Sequence, residues 1–239
     1  MNSMNLKKTI LAVALVAIAS LSFSQVASAD PISVCTGAGC STTNVTGTIV
    51  AGNGSVTITL LNNLTNAQVN SVIQNVSGIY FSVSGYNGGA VTLTSSNSTN
   101  STNIAANGTA TAAGAVNPTG WAAGHSGTTL TACVVCAFGV GPTVGPEQTL
   151  IGGTGTGTYA GANGSIAGND PHNPFLVGTL TLVLTTPGVT ANSTFSNVVV
   201  QFGTEATPPT ILTPEPLSIV LLGMGMLGIG GMAWKRRSN

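Results

Sequence analysis

The clearest pattern along the chain is an alternation of apolar and polar residues with a period of two, which is typical of strands that bury one face. Four runs show it, and clusters of Gly, Asn and Ser separate them as turns require. The apolar members of the runs are Val56, Ile58 and Leu60; Ile79, Phe81 and Val83; Leu180, Leu182 and Leu184; and Val198, Val200 and Phe202. The sequence therefore predicts a mainly β protein with a single β-sandwich or jelly-roll-like domain over residues 30–206.

One segment departs from this pattern and favours a short helix. Its apolar residues, spaced as on one helical face, are Val69, Val72, Ile73 and Val76. Thr65 and Gln68 match a capping box, and Gly78 stands where a helix C-cap is expected. We therefore predict one helix near residues 66–76, packed on a sheet edge or closing the sandwich.

Two further segments have the composition of surface loops. Residues 95–114 are rich in Ser, Thr, Asn, Ala and Gly with little periodicity, and residues 152–168 contain many glycines. Residues 207–213, with Pro208 and Pro209, are typical of a short stiff linker.

Charge is scarce and lies at the two ends of the chain. Only 4% of the 239 residues are charged, and no Lys or Arg occurs between Thr9 and Trp234. Nucleic-acid binding and phosphate chemistry both need cations to neutralise phosphate oxygens. The composition of the body therefore argues against nucleic acid as a partner.

The N-terminus has the organisation of a secretory signal peptide over residues 1–29. Lys7 and Lys8 precede an apolar run, and the small residues Ala27 and Ala29 suit the −3 and −1 positions of signal peptidase, with Asp30 following. The apolar run, residues 10–19, is short for a membrane span of about 20 residues. We expect cleavage after Ala29 rather than a permanent anchor.

The C-terminus combines three features in a fixed order. Pro214, Glu215 and Pro216 lead into 18 uncharged residues, 217–234, and these are followed by three cations, Lys235, Arg236 and Arg237. A helix of that length reaches about 27 Å, close to the thickness of a bilayer's hydrocarbon core. The cations should stay in the cytoplasm, so the body would face outward as a membrane-tethered periplasmic domain.

Residues 214–237 resemble the PEP-CTERM sorting signal of Gram-negative bacteria, which consists of a Pro-Glu-Pro motif, an apolar helix and a basic cluster. The resemblance implies a sorting protease, an exosortase, as a partner, and an association with exopolysaccharide and biofilm. Residues 163–175, with the predicted strands at 178–185 and 198–203, resemble a β-rich body that recurs in exported proteins of this kind. That second resemblance supports one domain and implies no mechanism.

The four cysteines form two close pairs, Cys35 with Cys40 and Cys133 with Cys136. In an exported body we expect disulfides rather than a zinc or redox site. The four residues between Cys35 and Cys40 allow a local bridge. Val134 and Val135 are poor turn residues, so crossed pairing stays open alongside local pairing.

Candidate catalytic and metal-binding residues are few. Ser126, after His125, only partly matches a nucleophile elbow, and a serine hydrolase is the weakest alternative. Asp170, His172 and Asn173 are weak metal candidates, but the adjacent prolines favour a rigid turn. We expect no cofactor and no enzymatic activity.

The leading hypothesis is a non-enzymatic surface or extracellular-matrix protein, and the alternative is a carbohydrate-binding or adhesion module. Trp121, Tyr86 and Tyr159 are the aromatic residues expected in loops that could stack on sugars. Asn-x-Ser/Thr also occurs nine times, and glycosylation within residues 95–109 is a further hypothesis.

Overall fold

The computed structural model describes residues 29–136 and 147–205. Residues 1–28 of the predicted signal peptide, the predicted linker and the whole sorting signal lie outside the described residues. Among the described residues, no helix is both long enough and apolar enough to cross a bilayer.

The described chain is built from eleven strands and three short 3₁₀ helices. The strands are β1 (Ala29–Thr36), β2 (Thr43–Gly52), β3 (Ser55–Asn62), β4 (Val76–Val83), β5 (Thr92–Ile104), β6 (Thr109–Ala112), β7 (Ala122–Ser126), β8 (Thr129–Cys133), β9 (Gly157–Thr158), β10 (Phe175–Thr185) and β11 (Phe195–Phe202). The 3₁₀ helices are Ala38–Cys40, Val72–Gln74 and Asp170–His172. The predicted mainly β class is confirmed.

The strands form two antiparallel sheets. The large sheet has seven strands in the order β1-β2-β3-β10-β5-β6-β9, and the small sheet has four in the order β11-β4-β8-β7. Side chains of both sheets meet in one apolar cluster: Ile58 and Leu182 come from the large sheet, and Phe81 and Leu130 from the small sheet. Two sheets that share one core form a β-sandwich.

The predicted alternation is borne out in β3 and β10, whereas in β4 Tyr80 of the opposite face is buried as well. The apolar members of these three runs are buried: Val56, Ile58, Leu60, Ile79, Phe81, Val83, Leu180, Leu182 and Leu184. Of the three apolar residues predicted for β11, only Val200 is buried, while Val198 and Phe202 are half-buried against the core. The register of β11 against β4 shifts after Ser196, where Asn197 has a φ of 51°, and this β-bulge interrupts the simple alternation.

A second, smaller core lies against the other face of the large sheet. Phe175 and Val177 of β10 meet Val69, Tyr159 and Ile166 there, which come from the connecting segments. The loops between β3 and β4 and between β9 and β10 therefore cover one end of the outer face.

The helix predicted over residues 66–76 was wrong. The segment consists of turns followed by the 3₁₀ helix Val72–Gln74, and Gly78 lies within β4 rather than at a helix end. Gln68 does accept a hydrogen bond from the backbone of Thr65, at 2.9 Å, so the local contact of the expected capping box forms. The predicted apolar face is divided, because Val69 and Val72 enter the second core while Val76 enters the main core and Ile73 is 66% exposed. Burial in two different clusters outweighs helical spacing here.

The surface loop predicted over residues 95–114 was also wrong, because β5 and β6 occupy most of it. Ser96, Ser98 and Thr102 are buried, although polar side chains of this kind usually lie at the surface. Their hydroxyls find backbone acceptors: Ser98 donates to the Val177 carbonyl at 3.1 Å and Thr102 to the Gly155 carbonyl at 2.8 Å. Residues 152–168, by contrast, are mostly loop, with only the two-residue β9 within them.

Candidate functional surface

Three Thr-x-Thr pairs lie on the outer face of the large sheet, and together we call them the threonine face: Thr46 and Thr48, Thr57 and Thr59, and Thr179 and Thr181. The residues between or beside them, Ile58, Leu180 and Leu182, are fully buried in the main core. Since neighbouring residues of a strand point to opposite faces, the threonines point away from that core. Thr46 is exposed and the other five are half-buried.

The strand register aligns these threonines in rows across the sheet. Thr48 is opposite Thr59, Thr59 is opposite Thr181, and Thr181 is opposite Asn97 of β5. Adjacent strands lie about 4.8 Å apart, so this row presents one polar side chain at each such step. Thr46 aligns in the same way with Leu61 and Thr179 in the next row.

The alignment of β2 with β3 is held closely. The hydroxyls of Thr48 and Thr59 are hydrogen-bonded at 2.7 Å. Gly47, between the threonines of β2, permits this approach, because a Cβ there would stand 2.0 Å from the Thr59 carbonyl oxygen. The β-branched threonines have restricted χ1 angles, so the rows are well ordered.

The threonine face carries no charge. The acidic residues of the described chain are Asp30, Glu147, Asp170 and Glu205, and none of them belongs to the rows. Solvated protein surfaces usually contain roughly a quarter to a third charged residues. The face therefore differs from ordinary solvated surfaces, as does most of this sparsely charged body.

A depression of about 590 Å³ adjoins the face and is lined by residues 61–67 together with Gly153 and Thr154. Asn63 connects the two, because its Nδ2 donates to the hydroxyl of Thr46 at 2.9 Å. Asn66 holds the far wall: its Oδ1 accepts from the Thr154 backbone at 2.9 Å and its Nδ2 donates to the Thr156 carbonyl at 2.7 Å. The lining, like the face, contains no titratable side chain.

The aromatic residues proposed for sugar stacking are mostly structural. Trp121 is 4% exposed and donates its indole N–H to the Gln148 carbonyl at 3.0 Å. Tyr159 is 1% exposed, and burial raises the pKa of its phenol above the usual value. Tyr86 is half-buried, its ring 5.5 Å from that of His125 in an edge-on arrangement. Of the three candidates, only Tyr86 keeps a substantial exposed part.

His125 and Ser126 end β7 in a tight hairpin. Ser126 pairs with Thr129 of β8 across a turn in which Gly127 has a φ of 57°. A nucleophile elbow needs a strand that turns sharply into a helix, and the chain here turns into a second strand instead. His125 approaches the Gly127 carbonyl oxygen at 3.3 Å through Nδ1.

Asp170, His172 and Asn173 lie in or next to the 3₁₀ helix Asp170–His172, where two of the side chains bind backbone. Asn173 Oδ1 accepts from the Ile104 N–H at 3.0 Å, and His172 Nδ1 lies 2.6 Å from the Ser165 carbonyl oxygen. The Asn173 bond fastens this segment to β5, and the His172 contact connects it to the preceding loop. Within the described ranges, no three His, Cys, Asp or Glu side chains are grouped so that they could hold a metal ion.

The cysteines form the two local disulfides. Cys35 and Cys40 close the β1–β2 connection with Cα atoms 4.7 Å apart. Cys133, the last residue of β8, bridges to Cys136 with Cα atoms 5.2 Å apart. The second bridge needs a turn at Val134 and Val135, and both N–H groups donate to the Ser77 carbonyl of β4, at 2.8 and 3.4 Å. This tertiary contact supplies the turn that the two valines do not favour by themselves.

The predicted processing residues are only partly described. Ala29 and Asp30 are the first residues of β1 and pair with Val50 and Ile49 of β2. Ala27, the sorting motif Pro214–Pro216 and the basic cluster Lys235–Arg237 lie outside the described residues.

A scan against protein-family models, a search of curated proteins and a search of solved structures each found no match to this chain.

Sequence reasoning missed the threonine face. The Thr-x-Thr pairs are visible in the sequence as the polar half of the alternating runs. Their alignment depends on the order β2-β3-β10, in which β10 is far from the other two along the chain. The Thr-x-Thr pairs could therefore be found in the sequence, but a single sequence does not indicate that β3 pairs with β10.

Proposed function

We propose that this chain is a non-enzymatic surface or extracellular-matrix protein that is exported and sorted through its C-terminal tail. A signal peptidase removes residues 1–29. The helix at residues 217–234 then tethers the body to the inner membrane, on its periplasmic side. An exosortase processes the tail near Pro214, Glu215 and Pro216, and the body reaches the cell surface or the medium, in association with exopolysaccharide or biofilm.

The observation that carries the proposal is the ordered tail, in which the Pro-Glu-Pro motif, an uncharged stretch of 18 residues and three cations follow one another. This order is the basis of the resemblance to the PEP-CTERM sorting signal. The absence of Lys and Arg between residues 9 and 234 supports translocation of everything that precedes the tail.

The disulfides support the same compartment. Both pairs of cysteines are bridged, and no free cysteine occurs among the described residues. Disulfides persist in oxidising compartments outside the cytosol. This is consistent with an extracellular or periplasmic protein.

Mass spectrometry of cell fractions tests the proposal. We expect the processed protein to begin at Asp30 and to have lost the basic cluster, with both disulfides intact. Replacing Pro214, Glu215 and Pro216 together by Ala should leave an unprocessed form in the membrane fraction. The matched control replaces Pro208 and Pro209 by Ala, which changes two linker prolines but leaves the motif intact.

Two results would contradict the proposal. One is recovery of the protein from cytosol with residues 1–29 attached. The other is a C-terminal reporter fused after Asn239 that is found on the periplasmic side, because the basic cluster would then lie on the wrong side of the membrane.

A further inference from the structure

We propose that the threonine face and the adjoining depression bind an uncharged polysaccharide chain. The inference deepens the proposed function and rests on it for one point, namely that the body lies outside the cell, where such polymers occur. The binding itself depends only on the folded body and can be measured whether or not the sorting step is correct.

The first argument is electrostatic. Neither the rows nor the lining of the depression contains a charged side chain. An anionic partner such as an acidic polysaccharide, a nucleic acid or an anionic membrane would lose hydration on this surface and gain no ion pair. A neutral partner meets no such cost, so the surface matches an uncharged polymer.

The second argument is chemical. A threonine hydroxyl both donates and accepts hydrogen bonds, as sugar hydroxyls do, and its methyl group offers apolar contact to the C–H face of a sugar ring. The rows mix the two properties further: Leu61 stands between Thr46 and Thr179, and Thr57 stands between Val50 and Val183. Threonine is common in strands, and the register here places its side chains in rows across three neighbouring strands.

The third argument is geometric. A polymer that crosses β2, β3, β10 and β5 meets Thr48, Thr59, Thr181 and Asn97 in turn, at steps of about 4.8 Å. This step is close to the length of one pyranose unit. The neighbouring row leads towards the depression through the hydrogen bond between Asn63 and Thr46. An extended chain is therefore a better match than a single sugar.

A second copy of this chain fits the face less well. Protein interfaces depend on buried aromatic, Met or Arg anchors, and the rows contain none of these residues. Each contact to a polysaccharide is individually weak, and repetition along the polymer provides the affinity.

The test uses the full chain, purified in mild detergent with both disulfides formed, and pelleting with insoluble polysaccharides. The probes are cellulose and curdlan, which are neutral, and calcium alginate, which carries carboxylates. We expect the protein to pellet with at least one neutral glucan and to remain in the supernatant with alginate. Pelleting with alginate alone, or with none of the three, would overturn the proposal.

Substitutions locate the binding surface. Thr46→Glu adds a carboxylate at an exposed position of the face, and we expect it to weaken pelleting about tenfold. The matched control, Thr128→Glu, makes the same change at an exposed position in the β7–β8 turn and should pellet as the native protein does. Equal binding by the two variants would overturn the assignment of the face.

A milder pair of variants separates lost hydroxyls from lost folding. Thr59→Val with Thr181→Val keeps the branched shape and removes two aligned hydroxyls, and we expect weaker pelleting with an unchanged β-sheet circular dichroism spectrum. Thr128→Val with Thr190→Val, at exposed positions in loops, is the control. If Thr46→Glu instead abolished a dimer seen by light scattering while the native protein bound no glucan, the face would be a contact between copies and the proposal would be wrong.

Discussion

Amide and hydroxyl side chains hold the connecting segments in place through hydrogen bonds to the backbone. Asn66 forms hydrogen bonds with two backbone positions of the Gly-rich loop, residues 152–168, and Asn173 accepts one from Ile104, the last residue of β5. The phenol of Tyr159 donates to the Gly152 carbonyl at 2.9 Å and accepts from the Gly155 N–H at 3.2 Å. Because the loop's own glycines and threonines bury little apolar surface, these bonds order it.

Tyr159→Phe tests this role. The change keeps the buried ring but leaves the Gly152 carbonyl and the Gly155 N–H without their partner, so we expect a loss of about 1–3 kcal/mol in the free energy of unfolding. Chemical denaturation measures it. Tyr86→Phe, at a half-buried phenol that donates only to the Gly89 carbonyl, should cost less.

Tyr159 should also make the free energy of unfolding depend on pH. Burial raises the pKa of Tyr159 above its ordinary value of 10.0, so the folded state holds the phenolic proton more tightly than the unfolded state does. The resulting stability is fully present below pH 10 and is lost as the pH rises through the folded pKa. Tyr159→Phe should therefore lose less stability than the native protein between neutral pH and pH above 10, measured by denaturation at both pH values. An equal loss in the two proteins would contradict this assignment.

At the scale of elements, the long polar strand β5 shows how position in the sheet can outweigh composition. Its neighbours are β10 on one side and β6 on the other, so its backbone is paired on both sides near Thr102. Edge strands can pair with strands of other chains, and lysines often prevent this. Here β1 contains Pro31 and β11 contains the bulge at Asn197, and both features hinder such pairing.

Hydrogen exchange distinguishes a central strand from the surface loop that composition favours. We expect the amides of residues 96–103 in β5 to exchange much more slowly than those of the exposed turn at residues 160–164. Peptide-level mass spectrometry can compare the two segments in one sample. Similar rates in both would mean that β5 is not a stable part of the sheet.

At the scale of the whole molecule, ion pairs contribute almost nothing to the stability of the body. The described residues contain no Lys or Arg, so no ion pair between a carboxylate and either of these cations forms among them. Stability must therefore come from the two apolar cores, the sheet hydrogen bonds and the disulfides.

Because charge pairs contribute little, the stability of the protein should depend only weakly on salt concentration. Raising NaCl from about 0.05 M to about 1 M should shift the melting temperature by less than about 3 °C, since there are few charge pairs to weaken. Differential scanning calorimetry of the full chain with its disulfides intact measures it. A larger fall would reveal ion pairs that contribute to the fold.

The sequence alone was sufficient for the β class and for the buried faces of β3, β4 and β10. Apolar alternation with a period of two is a local property of the sequence. In a strand it places residues such as Ile58 and Leu182 on one face, and that face avoids water only by packing against a core. The cysteine spacing left local and crossed pairing open, and the contact from Ser77 favours the turn at Val134 and Val135 that local pairing needs.

The remaining features depend on contacts between residues far apart in the chain. Ser98 and Thr102 lie in a strand because β5 pairs with β10 and β6, and their hydroxyls can be buried because the carbonyls of Val177 and Gly155 accept hydrogen bonds from them. Val69 lies in a loop and Val72 begins a 3₁₀ helix, because the two side chains are buried in the second core and not along one face of an α-helix. The threonine face exists because β10 pairs with β3 across more than a hundred residues of chain. The local sequence pattern indicates which side chains are buried, whereas the pairing of strands that are distant in the sequence determines which side chains become neighbours.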